Sequence, residues 1–186
     1  MDKKEIRSYI KNKKAFLSEK EIRELSDSIK SKLETEDTYI NCSHLFCYVS
    51  FNQEVLTTNI ITEAMAKSKK VAVPKIVKNE MKFFYIESLE DLLPGTLGIL
   101  EPVSSEEAIP SNNNTNLILV PGLAFDKNKN RIGYGKGYYD QFFEKYAKVP
   151  MTKIALAYDF QVLEQIPHET FDIKVDKVLT NIEIVK

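Results

Sequence analysis

The chain has 186 residues, 43% hydrophobic and 28% charged, the make-up of a globular protein that can bury roughly 70% of its unfolded surface without a disulfide or metal staple. Lys and Arg number 26 and Asp and Glu 27, a net charge of −1. That excludes a strongly basic nucleic-acid binder and a polybasic membrane binder, though not a local basic patch.

The opening MDKKEIRSYIKNKK follows its charges with no apolar core, so it does not read as a secretory signal, and the expected compartment is the cytoplasm. Asp2 is positioned to cap a first helix, with Glu5 as its capping-box partner and Ile6 and Ile10 on one face. Ser18 and Glu21 repeat the box for a second helix. Leu17 and Ile22 form its staple, and Ile22, Leu25, Ile29 and Leu33 make its buried stripe.

The period then changes. His44–Ser50 has the length and apolarity of a strand. Cys42 and Cys47, five residues apart, would fall on opposite faces of a strand, which predicts two buried thiols rather than a disulfide or zinc site. A helix over Thr58–Lys69 follows, capped by Thr57 or Thr58. Val71–Val73 reads as a strand stopped by Pro74, and Met81–Ile86 as another. From Glu87 to Asn116 the turn residues are too dense for regular structure. Leu117–Val120 is apolar throughout, as in a strand covered on both faces. A helix over Tyr139–Lys148 leads to a buried strand, Ile154–Tyr158, and to terminal strands at Val178–Leu179 and Ile182–Val185. Alternating strands and helices predict an α/β fold with a mostly parallel central sheet flanked by helices, and one domain over residues 1–186.

The densest chemistry lies in Leu117–Phe143. Three of the six glycines, Gly133, Gly135 and Gly137, interleave with Arg131 and Lys136, and Asp140 follows. Glycines leave backbone N–H groups free to converge on an anion. A helix starting near Tyr138 adds its own free N–H groups. Arg131 and Lys136 bring positive charge, and Asp140 can hold a magnesium ion that bridges phosphates. The pattern reads as a nucleotide triphosphate site. It matches neither a Walker loop, since no Ser or Thr follows Lys136, nor a G-x-G-x-x-G fingerprint. A glycine-rich turn with scattered charges is the competing reading. Lys3, Lys4 and Arg7, with Lys11, Lys13 and Lys14 behind them, read either as a solvated basic face or as cations brought to phosphates. Tyr48–Glu54 leaves a central strand, where open α/β sheets bind ligands. Its Phe51 and Glu54 suit a flat amino-bearing ring, or else a packed loop aromatic and a solvated acid. The two isolated histidines form no catalytic pair, and no nucleophile or zinc motif is present.

RIGYGKGYYD, placed after LILVPGLAFD, resembles the signature of the 5-formyltetrahydrofolate cyclo-ligase family, also called methenyltetrahydrofolate synthetase. KKEIR, YVSFNQEV, VAVPK, LLPGTLGILEP and FDIKVDKVLTN extend the similarity over nearly the whole chain. The resemblance implies Rossmann-like three-layer packing. It also implies conversion of 5-formyltetrahydrofolate and ATP to 5,10-methenyltetrahydrofolate, ADP and phosphate, with Mg2+. Lys3, Lys4, Arg7 and the stretch Arg131, Gly133, Tyr134, Gly135, Lys136, Gly137, Tyr138 and Tyr139 would hold the nucleotide, with Lys136 and Arg131 as catalytic cations. Val49, Phe51, Glu54, Tyr134 and Tyr138 would contact the folate, and Asp140 and Asp172 the metal. Tyr134 stands where some members carry Arg. The expected protein is a monomer or a weak dimer with a small-molecule substrate and neither nucleic-acid nor membrane partners. A nucleotide-sensing module and a phosphotransferase acting on a hydroxyl are the alternatives.

Overall fold

A computed structural model describes residues 1–95 and 98–186; Thr96 and Leu97, within LLPGTLGILEP, lie outside the described residues. The first two helices form where their end signals place them. In α1 (Lys3–Ala15) the Asp2 carboxylate accepts from the Lys4 and Glu5 amides while Glu5 accepts from the Asp2 amide. In α2 (Glu19–Leu33) Ser18 and Glu21 do the same. Each box satisfies amides that a helix start leaves open, an effect of about 1 kcal/mol. There follow α3 (Asp37–Ile40), β1 (His44–Cys47), α4 (Thr58–Ala66), β2 (Lys70–Val77), β3 (Glu80–Ile86), β4 (Leu92–Pro94) and β5 (Leu100–Pro102). The remaining elements are β6 (Asn116–Val120), β7 (Ala124–Asp126), β8 (Arg131–Ile132), α5 (Tyr138–Lys145), β9 (Met151–Leu156), β10 (Val162–Leu163), β11 (Lys177–Leu179) and β12 (Ile184–Val185).

Seven strands make the central sheet in the order β12-β11-β9-β6-β1-β2-β3. The inner five run parallel, and β3 and β12 close the edges antiparallel. Strand alternation sorts the core into two faces. Leu45, Leu117, Leu119, Ile154 and Leu156 pack with Ile29 and Leu33 of α2 and Ile60 and Ile61 of α4. Phe46, Ile118, Val120, Ala155 and Val178 pack with Phe142 and Phe143 of α5. Each fully buried large apolar side chain contributes about 1.5–3 kcal/mol, so the two faces hold helices on both sides, giving the expected three layers. A second small sheet, β10-β7-β8, supports α1, whose Ile6 and Ile10 pack with Leu123, Ala124, Ile132 and Ile166.

Several expectations are corrected. The strand at Val71 runs through Pro74 to Val77, because β2 pairs with β1 only as far as Ala72. Beyond that point the missing proline N–H costs no β1 hydrogen bond, and Pro74 is accommodated opposite Phe83 of β3. β2 and β3 join through Lys78 and Asn79, both at positive φ (48° and 67°), a two-residue hairpin without the usual glycine. The stretch Glu87–Asn116 does contain regular structure: β4 pairs with β5, and Asn116 opens β6. The helix expected to reach Lys148 ends at Lys145, and Tyr146 has left the helical region (φ −107°, ψ 24°) on the approach to Pro150. Thr57 does not cap α4 with its side chain. Its hydroxyl donates to the Tyr48 carbonyl (2.7 Å) and accepts from the Ser50 amide (3.0 Å), fixing the loop after β1. Cys42 precedes β1, so opposite faces do not apply; both thiols are free, buried and in the same face of the core. Among the described residues no helix is long and apolar enough to cross a membrane.

Candidate active site

The sheet order creates a crevice. From β1 the chain passes through α4 to β2, whereas from β6 it passes through α5 to β9 on the other side. The two connections leave in opposite directions and cover opposite faces, which makes the carboxyl ends of β1 and β6 the switch point where open α/β sheets place their ligand crevice. The loop Tyr48–Glu54 enters it from β1, and the glycine loop enters it after the β7–β8 hairpin.

In the glycine loop Gly135 (φ 102°) and Gly137 (φ 68°) flank Lys136 in left-handed conformations, and Gly137 opens α5. The Lys136 side chain is exposed. α1 reaches across to this loop: Arg7 Nε donates to the Gly133 carbonyl at 2.9 Å. A Cβ built on Gly135 would stand 3.7 Å from the Arg7 guanidinium, so the loop and α1 are in close contact. Lys3 Nζ pairs with Asp172 Oδ2 at 2.7 Å. Arg131 Nη2 pairs with Asp140 Oδ2 at 2.8 Å, and the Ile173 amide donates to Asp140 Oδ1 at 3.2 Å. Asp140 and the Asp172 segment, far apart in sequence, therefore adjoin, each acid held by one cation. Burial pulls the Asp172 carboxyl up, but the Lys3 ammonium, the Glu169 amide and Arg131 together hold it below its ordinary value. Lys4 is exposed and stands apart, offering only its amide to Asp2.

Arg131 also lies over the Tyr139 ring (5.7 Å). Its Nε and the Tyr139 hydroxyl are both buried without a partner among the described residues. Tyr138 turns the other way, its hydroxyl 3.3 Å from Asn79 Oδ1 in the β2–β3 hairpin.

Glu54 is the hinge between the two loops. Its Oε1 accepts from the Tyr134 hydroxyl at 2.7 Å, a bond between residues 80 apart in sequence. Its Oε2 accepts from the Phe51 amide at 3.0 Å. Burial raises the Glu54 pKa, against the Tyr134 hydroxyl, the Phe51 amide and the Lys14 ammonium. Tyr158 donates to the Glu54 carbonyl (3.1 Å) and Tyr48 to the Val55 carbonyl (3.0 Å), so tyrosines brace the loop behind the carboxylate. Burial, then the Glu54 charge, raises the Tyr48 and Tyr139 phenols well above their ordinary value, keeping both neutral. Val49 is buried at the mouth of β1. The Phe51 ring lies beside Gly98, 3.9 Å from where a Cβ would stand.

Lys3, Arg7, Arg131, Tyr134, Tyr139, Asp140 and Asp172 thus come together with Glu54 beyond the carboxyl ends of the parallel strands. Two members, Tyr48 and Tyr158, are given no role by the sequence, and Lys14 reads there only as one cation of the basic run on α1. Lys14 is 6% exposed, which corrects the reading of a wholly solvated basic face. The signal was present, since Ile6, Ile10 and Lys14 recur every four residues on the buried side of α1. Tyr48 and Tyr158 read as strand-end core residues, and only the fold turns them toward Glu54. Among the described residues no cluster of three or more His, Cys, Asp or Glu could hold a metal unaided. A cleft of about 440 Å³ lined by Lys70, Val71, Tyr85, Ile86, Val103 and Glu106 lies by the amino end of β2, away from these groups.

The model of the 5-formyltetrahydrofolate cyclo-ligase family matches residues 1–181. The mouse (Mus musculus) 5-formyltetrahydrofolate cyclo-ligase is 34% identical over 188 residues, covering 95% of this chain and 92% of its own. The solution structure of Aquifex aeolicus 5,10-methenyltetrahydrofolate synthetase superposes with a TM-score of 0.87 at 34% identity, covering 100% of this chain and 93% of that one. A 5,10-methenyltetrahydrofolate synthetase structure from Mycoplasma pneumoniae shares the fold, with a TM-score of 0.77 at 22% identity, covering 97% of this chain and 99% of that one. With the family model spanning both the glycine loop and the Glu54 loop, the chain belongs to the 5-formyltetrahydrofolate cyclo-ligase family of enzymes.

Proposed function

We propose that the protein converts 5-formyltetrahydrofolate to 5,10-methenyltetrahydrofolate with ATP, releasing ADP and phosphate. The observation that carries this reading is the Tyr134–Glu54 hydrogen bond, 2.7 Å, which joins the anion-binding glycine loop to the loop suited to an amino-bearing ring. Nucleotide and folate then occupy one crevice, as a direct transfer between them demands.

A formamide oxygen is a poor leaving group. Transfer of the γ-phosphoryl group to that oxygen forms an iminophosphate, with ADP departing. Nitrogen 10 attacks the activated carbon, its proton is lost, and phosphate leaves as the ring closes. No protein nucleophile is needed. The protein's share is alignment and charge neutralisation. Lys136, exposed between two left-handed glycines, meets the phosphates, joined by Arg131, Arg7 and Lys3. Val49, Phe51, Glu54 and Tyr134 line the folate side, and Tyr138, turned to Asn79, is not among them.

Magnesium usually takes one or two carboxylates, with phosphates and waters completing its shell. Asp140 and Asp172, adjoining through Ile173, fit that share. They would hold the ion as Arg131 and Lys3 turn to the phosphates, and the bound ion would neutralise phosphate charge.

The test mixes the protein with 5-formyltetrahydrofolate, ATP and Mg2+ and follows the absorbance of the methenyl product, with each component omitted in turn. Lys136→Ala should lower turnover more than tenfold, since a charge-assisted phosphate contact is worth roughly 1.5–3 kcal/mol, while circular dichroism stays unchanged. Near-normal turnover in that folded variant removes the loop's phosphate role. No product with all components present removes the reaction.

A further inference from the structure

Lys14 occupies the third position of a stripe, Ile6, Ile10, Lys14, that α1 buries. The pattern calls for an apolar side chain there. Lysines are almost never fully buried unless paired, and burying an unpaired charge is costly. Among the described residues Lys14 Nζ makes no hydrogen bond and no ion pair. It is not left without surroundings, however. Nζ lies 5.6 Å from the Tyr158 ring centroid, which eases burial of the cation, and the ammonium interacts with the Glu54 charge. Tyr158 in turn holds the Glu54 carbonyl. The Lys14 side chain is thus largely buried, and its ammonium, with no acceptor among the described residues, lies within electrostatic reach of the acid on which the folate site is built.

The charged and titratable groups that face it are Glu54 from the loop after β1 and Tyr158 after β9, and Tyr134 from the glycine loop reaches it only through Glu54. Glu54 already accepts one bond on each oxygen, from Tyr134 and from Phe51, and each oxygen keeps a free lone pair. Lys14 and Glu54, which interact without an ion-pair contact, thus leave a donor and an acceptor for one ligand to bridge. The pyrimidine edge of a 2-amino-4-oxo pterin presents the complement: N–H donors at the 2-amino group and N3, beside a carbonyl acceptor at position 4.

Resting on the reading of Glu54 as a folate contact, we propose that Lys14 is a substrate-specificity residue whose ammonium donates to the 4-oxo group of the pterin while Glu54 accepts from its N–H groups. A ligand that covers the ammonium and leaves it unpaired meets the cost of an unsatisfied buried donor, so the site should reject a pterin with an amino group at position 4.

The test is calorimetry with 5-formyltetrahydrofolate, with its 4-amino analogue and separately with ATP and magnesium, on wild type, Lys14→Met, Lys14→Arg and Glu54→Gln. Lys14→Gln, a neutral donor, replaces Lys14→Met if that variant does not fold. Lys14→Met is expected to weaken 5-formyltetrahydrofolate at least tenfold and ATP less than twofold, with Lys14→Arg recovering most of the loss. Wild type should prefer the 4-oxo compound at least tenfold, and Lys14→Met should lose most of that preference. Folate affinity within twofold of wild type in Lys14→Met, beside a tenfold loss in Glu54→Gln, overturns the role of Lys14 and leaves the folate site standing. Unchanged folate affinity in both overturns the folate reading itself. Equal losses for folate and ATP, or a 4-oxo preference that survives in Lys14→Met, also overturn the proposal.

Discussion

Burial lowers the Lys14 pKa from the ordinary 10.5 to about 8, with the Glu54 charge opposing the shift. A depressed lysine makes the unfolded chain bind more protons than the native one between those two values, so its contribution to stability rises with pH across that window. Below pH 8 the native state bears the full cost of the charged group, at most about 3 kcal/mol for a shift of this size. Lys14→Met should therefore be more stable than wild type at pH 7. The gain should shrink as pH climbs from 8 toward 10.5, measured by urea denaturation at a series of pH values. A stability difference independent of pH would show that the ammonium is not the source. Lys136 presents the contrast: it is exposed, and its removal should cost the fold little.

At the scale of elements, α5 begins on a residue that must be glycine-like. Gly137 has φ 68°, and a Cβ there would meet nothing closer than Gln141 Nε2 at 3.9 Å. Gly137→Ala therefore tests backbone strain without a clash. It should cost about 1–2 kcal/mol in stability, and it should lower turnover further by moving Lys136. A variant with unchanged denaturation midpoint would place the strain elsewhere. The elements themselves were unequally legible in the sequence. α1 and α2 carry reciprocal caps, and β6 is apolar on both faces, so their places follow from local chemistry. The passage of β2 through Pro74 depends on where β1 stops, which is a fact of register between strands. The β2–β3 turn at Lys78 and Asn79 lacks the glycine that marks such hairpins. The short strands β4, β5, β7, β8 and β10 are specified by their partners rather than by any periodicity of two or three residues.

Over the whole molecule, α1 is the element laid against the glycine loop, the proposed nucleotide side. It carries Lys3 and Arg7 and is seated by Ile6 and Ile10 on the small sheet rather than on the main one. Ile10→Ala should cost about 2–5 kcal/mol and raise the Kd for ATP several-fold as the helix loosens. Ile29→Ala, an equally buried site on α2, should cost a similar amount and leave the ATP Kd within twofold. Equal effects of both on ATP would deny α1 a special place. The glycine loop, its cations and Glu54 were legible in the sequence because glycines at alternate positions and a strand-end acid carry chemistry locally. The pairing of Asp140 with Arg131, of Asp172 with Lys3 and the place of Lys14 were not, since each depends on how α1 and the segment after β10 are laid against the loop.

Cys47 ends the central strand β1 with no surface exposed, and burial raises its thiol pKa far out of the reactive range. A thiol in that position is a clock. An alkylating reagent can reach it only when the sheet comes apart, so the labelling rate in native buffer counts global opening events. Ligands that bind only the closed crevice should slow the clock by the factor of one plus ligand concentration over Kd, about a hundredfold at a hundred times Kd. Nucleotide and folate affinities could then be read from a single mass measurement without catalysis. Labelling of Cys47 at one rate with and without either ligand would mean that β1 opens locally, apart from the site it serves.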